Sequence, residues 1–205
     1  MGYGGGVTAK RFVLVDGSGY IFRAFYALQQ GREGGRKVAL TTSSGMPTAA
    51  LYVFTSMLMR LYLDEKPDFC AVVFDAPGKT FRHELFADYK ANRREKPEDL
   101  IVQLPWFEKI VSAFRLPVIK HAGVEADDVI ATLARRGAAI GLETVIFSAD
   151  KDLMQLVNDK IVMIDSMRDV RYDAARVTQK FGVAPAQVGD FLALCGDKSD
   201  NVPGM

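Results

Sequence analysis

The sequence predicts an α/β protein with a mostly parallel central sheet flanked by helices. Short β-rich apolar runs at residues 12–15, 69–74, 143–147 and 161–164 alternate with longer segments of helical spacing. The runs lack polar alternation, as expected of strands buried on both faces. Three of them lead within a few residues into acids, at Asp16, Asp75 and the pair Asp150/Asp152. Right-handed crossovers would bring the carboxyl ends of such strands to one edge, where open α/β sheets bind their ligands.

The elements follow in order. Residues 12–15 form a buried strand closed by a tight turn at Asp16-Gly17-Ser18-Gly19, and an aromatic helix covers 20–28. Residues 29–44, with glycines at 31, 34 and 35, read as a mobile loop. Pro47 opens a long helix over 48–63, and a second strand at 69–74 ends before Asp75. Residues 76–100 change character: they are basic, with Phe81, Phe86 and Tyr89 interleaved, and suggest a helical lid or arch rather than core. An amphipathic helix at 104–114 and a short strand at 117–120 come next. In the following segment Ala126, Val129, Ile130 and Leu133 recur on one helical face, which puts Glu125, Asp127 and Asp128 on the rest of the first turn. Gly141 ends that helix before the strand at 143–147. After the strand at 161–164, helices are expected at 173–181 and from Pro185 through Cys195, followed by Gly196-Asp197-Lys198-Ser199-Asp200-Asn201.

With 205 residues, 49% of them hydrophobic, the chain can bury a full core. A net charge of +1 gives no global basic field, so any nucleic-acid footprint must be local. Residues 78–96 supply one, with Lys79, Arg82, Lys90, Arg93, Arg94 and Lys96 against Glu84, Asp88 and Glu95. The two cysteines, Cys70 and Cys195, form neither a disulfide framework nor a metal spacing and read as small buried residues. No secretory signal is evident, and the apolar stretch at 49–63 is interrupted by Ser56 and Arg60, so a cytoplasmic protein without a membrane contact is expected.

A single Asp after a strand is ordinarily a turn former or a helix cap. The same outcome at three strands, joined by an acidic helix start and by Asp197 and Asp200, points instead to one pocket of nine carboxylates. Like charges ~4 Å apart repel by about 1 kcal/mol in water and ~4 kcal/mol near a protein surface, so cations must sit among them or several acids must stay protonated. Oxygen-only ligands favour Mg²⁺ or Mn²⁺, and room for two such ions suits phosphodiester hydrolysis. Only two histidines are present, which leaves a triad or a histidine-rich metal site poorly supported. The segment at 16–19 lacks the lysine and further glycine of a phosphate-cradling loop. Arg82, Lys90 and Arg93 can hold phosphates, Tyr89 can stack on a base, and Arg23 is a weaker candidate for the same role.

Six ordered stretches carry a resemblance: Val15-Asp16-Gly17, Val73-Phe74-Asp75, Phe81-Arg82 through Tyr89-Lys90-Ala91-Asn92-Arg93, Gly123-Val124-Glu125-Ala126-Asp127-Asp128, Ala149-Asp150-Lys151-Asp152, and Gly196-Asp197-Lys198-Ser199-Asp200-Asn201-Val202-Pro203-Gly204. Together they resemble the bacterial 5′ nuclease family, the flap endonuclease or 5′→3′ exonuclease domain found at the N-terminus of DNA polymerase I. The resemblance implies a PIN-like sheet, two or more Mg²⁺ or Mn²⁺ ions, and hydrolysis of DNA at 5′ ends or flaps. By position it implies a first metal cluster of Asp16, Asp75, Glu125, Asp127, Asp128 and Asp150, and a second of Asp152, Asp197 and Asp200. It also implies that Tyr89, Lys90 and Arg93 grip the 5′ strand, with Arg82 and Arg23 as further basic contacts and Lys90 and Arg93 as the catalytic cations. The expected organisation is a glycine-rich tail at 1–11, a nuclease core at 12–184 with its arch at 76–100, and at 185–205 the start of a helix-turn-helix lobe. Because that lobe stops at Met205, its monovalent-cation site and duplex clamp are expected to be missing, and a linked polymerase domain is an expected partner. A PIN-type ribonuclease and a non-catalytic nucleic-acid-binding fragment are the alternatives.

Overall fold

The structure is a computed structural model that describes residues 9–30, 40–93 and 95–205. It is built on a six-stranded sheet of order β3-β2-β1-β4-β5-β6. The strands are β1 (Arg11–Asp16), β2 (Phe69–Val73), β3 (Val118–Ile119), β4 (Glu143–Phe147), β5 (Ile161–Asp165) and β6 (Val170–Tyr172). The first five run parallel, and only β6 is antiparallel to its neighbour.

Side chains alternate across the sheet as its pleat requires. Val13, Val15, Val72, Phe74, Val145 and Phe147 point to one face, where they pack against Tyr20, Phe54, Leu58, Phe107 and Val111. Those partners come from α1 (Gly17–Gln30), α2 (Ala49–Glu65) and α5 (Leu104–Ala113). Leu14, Val73, Ile146 and Met163 point to the other face and meet Ala126, Ile130 and Ala134 of α6 (Ala126–Ala139) together with Val177 of α7 (Ala174–Phe181) and Val188 of α8 (Val188–Cys195). Burial on both faces explains why these strands read as unbroken apolar runs. Among the described residues no helix is long and apolar enough to cross a membrane.

Register fixes where the acids emerge. Asp16 lies opposite Val73, and Val15 lies opposite Phe147, so Asp16, Asp75 and the segment from Ser148 to Asp150 leave the sheet at the same edge. Several expectations need correction. The tight turn after β1 is absent: α1 begins directly at Gly17, because the Asp16 carboxylate accepts the Gly19 N–H at 2.7 Å and so starts the helix itself. The loop expected at 29–44 lies largely outside the described residues, but Gln29 and Gln30 belong to α1, and Thr41 bridges to Pro47. Strand β6, only three residues long, was not expected. Cys195 is exposed and Cys70 half-buried, rather than both being buried.

The basic segment at 76–100 is less helical than its reading as a helical arch implies. Among its described residues only α3 (Phe81–Leu85) and α4 (Glu98–Ile101) are helical, with turns after α3. Phe86 is extended and ends α3, and Lys90 sits at φ 58°, a left-handed conformation that costs a non-glycine residue about 1–2 kcal/mol. In return the Lys90 N–H donates to the Asp200 carbonyl, Asn92 donates to the Lys198 carbonyl at 2.8 Å, and Asn201 donates to the Asp88 carbonyl at 2.8 Å. The segment is thereby tied to the turn that follows α8.

A part-buried ion pair ties α1 to the end of β5. Arg23 of α1 donates to both oxygens of Asp165, at 2.5 and 3.0 Å, and Asp165 is 2% exposed. Burial alone would raise the Asp165 carboxyl, but the Arg23 guanidinium and the Met167 and Arg168 N–H groups hold it below its ordinary value of 3.8. A lowered folded-state pKa means that the pair's contribution is present above the unfolded value and disappears as pH falls through the folded one. Chemical denaturation at stepped pH should therefore show Asp165→Ala destabilised by about 3 kcal/mol at pH 7, with the gap to wild type narrowing below roughly pH 4. A pH-independent gap would assign the loss to packing.

Candidate metal centre

Asp16, at the end of β1, is 7% exposed. Its Oδ1 accepts the Gly19 N–H at 2.7 Å and its Oδ2 accepts the Ser148 hydroxyl at 2.8 Å. Gly19 has no alternative here, because a Cβ would lie 2.2 Å from Asp16 Oδ2. Asp75 stands two residues beyond β2; its carboxylate accepts the Ala126 N–H at 2.8 Å, and its own N–H donates to Ser18 Oγ at 3.0 Å. Glu125 caps α6, and its oxygens accept the Lys90 ammonium at 2.6 Å and the Tyr89 hydroxyl at 2.9 Å.

Asp127 and Asp128 follow on the first turn of α6 but point different ways. Asp127 faces inward between the other acids, where burial, then the charges of Asp16, Asp150 and Asp75, push its carboxyl up to about 9. Asp128 turns toward Arg82, which donates to both its oxygens at 2.6 and 2.7 Å and holds its pKa below the ordinary value. Asp128 also accepts the Glu125 N–H at 3.0 Å.

Asp150 follows β4. Its N–H donates to Ser148 Oγ at 3.0 Å, and its Oδ1 accepts the Asp152 N–H at 2.9 Å. Asp152, Asp197 and Asp200 each bring one carboxylate oxygen within 4.8 Å of the other two. Burial, then Asp150 and Asp197, push Asp152 up to about 6, and its buried Oδ1 has no hydrogen-bond partner. Asp197 is held low by the Ser199 N–H and by Lys151 at 3.1 Å, against the effect of burial. Asp200 receives Arg93 at 2.9 Å and the Tyr89 hydroxyl at 3.0 Å.

The carboxylates line two adjoining clefts. One, of about 130 Å³, holds Asp16, Asp75, Glu125, Asp127 and Asp150, with Lys90 and Arg93 on its wall. The other, of about 260 Å³, is walled by Glu125, Asp127, Asp128, Asp152 and Asp200, with Arg82 and Arg135. Glu125 and Asp127 are common to both, so all the expected acids except Asp197 line one or the other, and Asp197 stands in the three-acid group beside them. Burial also raises Asp16 to about 6, against the Gly19 and Ser148 hydrogen bonds and with Asp150 and Asp75 adding to the rise. Oxygen-only donors, crowded enough to hold on to protons, with one buried oxygen unpartnered, fit a hard divalent cation.

Two expected substrate contacts are placed differently. Tyr89 is 8% exposed, its hydroxyl is bonded to Glu125 and Asp200, and its ring lies edge-on to His83 at 5.3 Å, so it offers no face to a base in this conformation. Arg23 is bound to Asp165 beside a separate groove with Tyr26 and Arg168. Sequence reasoning missed Ser148, Ser18 and Gly19, which hold the acids in place. Their signal was position alone, since each directly follows a strand end or lies one turn beyond it.

The fold and site define a mostly parallel α/β protein with an acid-lined centre at the carboxyl edge of its sheet. The chain belongs to the family described as 5′-3′ exonuclease, N-terminal resolvase-like domain, whose model matches residues 11–182. It is 43% identical over 196 residues to a 5′-3′ exonuclease of Aquifex aeolicus, covering 96% of this chain and 65% of that protein. It is 49% identical over 193 residues to DNA polymerase I of Pseudomonas aeruginosa, covering 94% of this chain and 20% of that protein. The chain thus spans less than two thirds of the first relative and a fifth of the second. Its fold is similar to that of the bacteriophage T5 D15 protein crystallised with metal ions, with a TM-score of 0.70 and 22% identity over 95% of this chain and 69% of that one. The T5 flap endonuclease in a pseudo-enzyme–product complex with DNA and metal ions gives the same score and identity, over 95% of this chain and 70% of that one.

The crowding makes Asp127 a liability without cations. In chelator at pH 7, Asp127→Asn should stabilise the protein by on the order of 2 kcal/mol, read by urea denaturation, because it removes a carboxyl whose ionisation burial and three neighbours oppose. Asp128→Asn should destabilise it, since Arg82 loses its anion; the reverse ranking would contradict the orientations above.

Proposed function

We propose that the chain hydrolyses phosphodiester bonds of DNA at 5′ ends or 5′ flaps, using Mg²⁺ or Mn²⁺ held at two carboxylate groups. The observation that carries this reading is the meeting of acids from three strand ends, a helix start and the turn after α8 in adjoining clefts walled by Lys90, Arg93 and Arg82. It is further supported by membership of the exonuclease family and by the names of the relatives.

Asp16, Asp75, Glu125, Asp127 and Asp150 would form the first group, and Asp152, Asp197 and Asp200 the second. Asp128 is better read as the residue that aims Arg82 than as a ligand. When bound, such ions acidify an attacking water and offset charge on the leaving oxygen. Lys90 and Arg93, now on Glu125 and Asp200 at 2.6 and 2.9 Å, can exchange a carboxylate for a phosphate of similar charge. Lys90 is then the cation that meets charge developing at the scissile phosphate, and Arg93 grips the strand beside it. Arg82 extends that grip along the wall of the second cleft. Arg23 and Tyr89 would join only after leaving Asp165 and the Glu125/Asp200 pair.

Cleavage of 5′-labelled flap and single-stranded DNA, with RNA counterparts, in Mg²⁺, Mn²⁺ or chelator tests this directly. Metal-dependent DNA cleavage is expected, abolished by Asp75→Ala and by Asp150→Ala with the circular dichroism spectrum unchanged. Activity surviving both substitutions would remove the carboxylates from the chemistry. Preferential RNA cleavage would favour a ribonuclease, and tight binding without turnover a non-catalytic module. Lys90→Ala should lower kcat by about 10²–10³ while leaving DNA affinity within a small factor, the pattern of a contact made in the transition state. Equal losses in both would reduce Lys90 to an anchor.

A further inference from the structure

Ser148 is 2% exposed and sits directly after β4, between two of the acids. Its Oγ donates to Asp16 Oδ2 at 2.8 Å and accepts from the Asp150 N–H at 3.0 Å. A hydroxyl has a single proton, and with an N–H already aimed at the oxygen that proton is committed to Asp16. The other Asp16 oxygen is fixed by the Gly19 N–H at 2.7 Å, so both oxygens are held in one orientation. Asp150 Oδ1 in turn accepts the Asp152 N–H at 2.9 Å. A continuous hydrogen-bonded ladder therefore runs from Asp16 through Ser148 and Asp150 to Asp152, linking the first group of acids to the second.

We infer that Ser148 is a positioning residue that holds Asp16 against Asp150 and, through Asp150, sets Asp152, so that the two carboxylate groups bind divalent cations in register. The inference rests on the reading of these acids as cation ligands. Mutual repulsion among Asp16, Asp75 and Asp150 drives the carboxylates apart, and outside Gly19 the Ser148 hydroxyl is the one donor seen on Asp16 among the described residues. Without it Asp16 Oδ2 loses its donor and the Asp150 N–H loses its acceptor. Hydrogen-bond partners behind metal ligands are typically worth 10–100-fold in metal affinity.

The test is titration of the full chain with Mn²⁺, following free Mn²⁺ by electron paramagnetic resonance, beside thermal unfolding in chelator. Ser148→Ala should weaken Mn²⁺ binding by about 10–100-fold. Ser148→Thr, which keeps the hydroxyl, should stay near wild type, and raised Mn²⁺ should restore cleavage by Ser148→Ala. Ser166→Ala removes a hydroxyl after β5 that meets Tyr20 instead, and should leave Mn²⁺ binding unchanged. If Ser148→Ala does not fold, Ser148→Cys, with its weak S–H donor, should show an intermediate loss. Wild-type affinity in Ser148→Ala or Ser148→Cys, or an equal loss in Ser166→Ala, would overturn the role. A wild-type protein that takes up no Mn²⁺ would overturn the cation reading and the role of Ser148 with it.

Discussion

The constraint on which the rest of this structure depends is the mutual repulsion of carboxylates delivered to one edge of a parallel sheet. β1, β2 and β4 are neighbours and run parallel, so an acid placed at or just after the end of each arrives at the same edge with no freedom to separate. Pairs of charges at ~4 Å repel by roughly 1–4 kcal/mol depending on their access to water, and several such pairs would rival the net stability of an ordinary domain. The molecule meets this load in three ways. Asp16, Asp127 and Asp152 are raised by burial, Asp127 far enough to keep its proton at neutral pH. Glu125, Asp128, Asp197 and Asp200 are paired with Lys90, Arg82, Lys151 and Arg93. Asp75 and Asp150 are tied into hydrogen bonds with the backbone at Ala126 and Asp152.

The second of these devices explains the basic segment. Between α3 and α4 it contributes little to either core, and Tyr89 is its main buried side chain there. What holds it down is polar: Arg82, Lys90 and Arg93 on three different acids, with backbone ties to the turn after α8. Contacts of that kind are individually modest and exchangeable, because a phosphate can replace a carboxylate without changing the sign or the hydrogen-bonding fork. An apolar anchor would have made the same placement permanent. A segment held by charge over an acidic cleft is suited to release its partners to a polyanion.

Much of this was legible in the sequence, and for definite reasons. The four longer parallel strands were readable because burial on both faces leaves an unbroken apolar signature, and α6 because its apolar spacing survives beside its acids. The convergence of Asp16, Asp75 and Asp150 followed from handed crossovers alone. Strand β6 was not readable, since three residues carry no period and its pairing with β5 is set by the intervening turn. The start of α1 was misplaced because Asp16, Gly17, Ser18 and Gly19 look like turn residues; only the geometry shows the Asp16 carboxylate capping the helix. The basic segment read as helical from its composition, whereas its conformation is dictated by distant partners on α6 and after α8 that no local pattern encodes.

Asp127 and Asp128 show where composition stops informing about a site. The two are chemically identical and adjacent, yet one carboxyl is pushed up to about 9 and the other is held below its ordinary value. Successive residues of an α-helix are rotated by roughly 100°, which is enough to aim Asp127 between Asp16 and Asp150 and Asp128 across the surface to Arg82. A run of acids therefore does not add up to a run of ligands. The second carboxylate does a different service: by holding Arg82 and accepting the Glu125 N–H, it fixes the cap residue of the helix that carries the site. Glu125 is then presented to Lys90 and Tyr89 while the Ala126 N–H remains for Asp75, so that one helix terminus ties the acid that follows β2 to the basic segment.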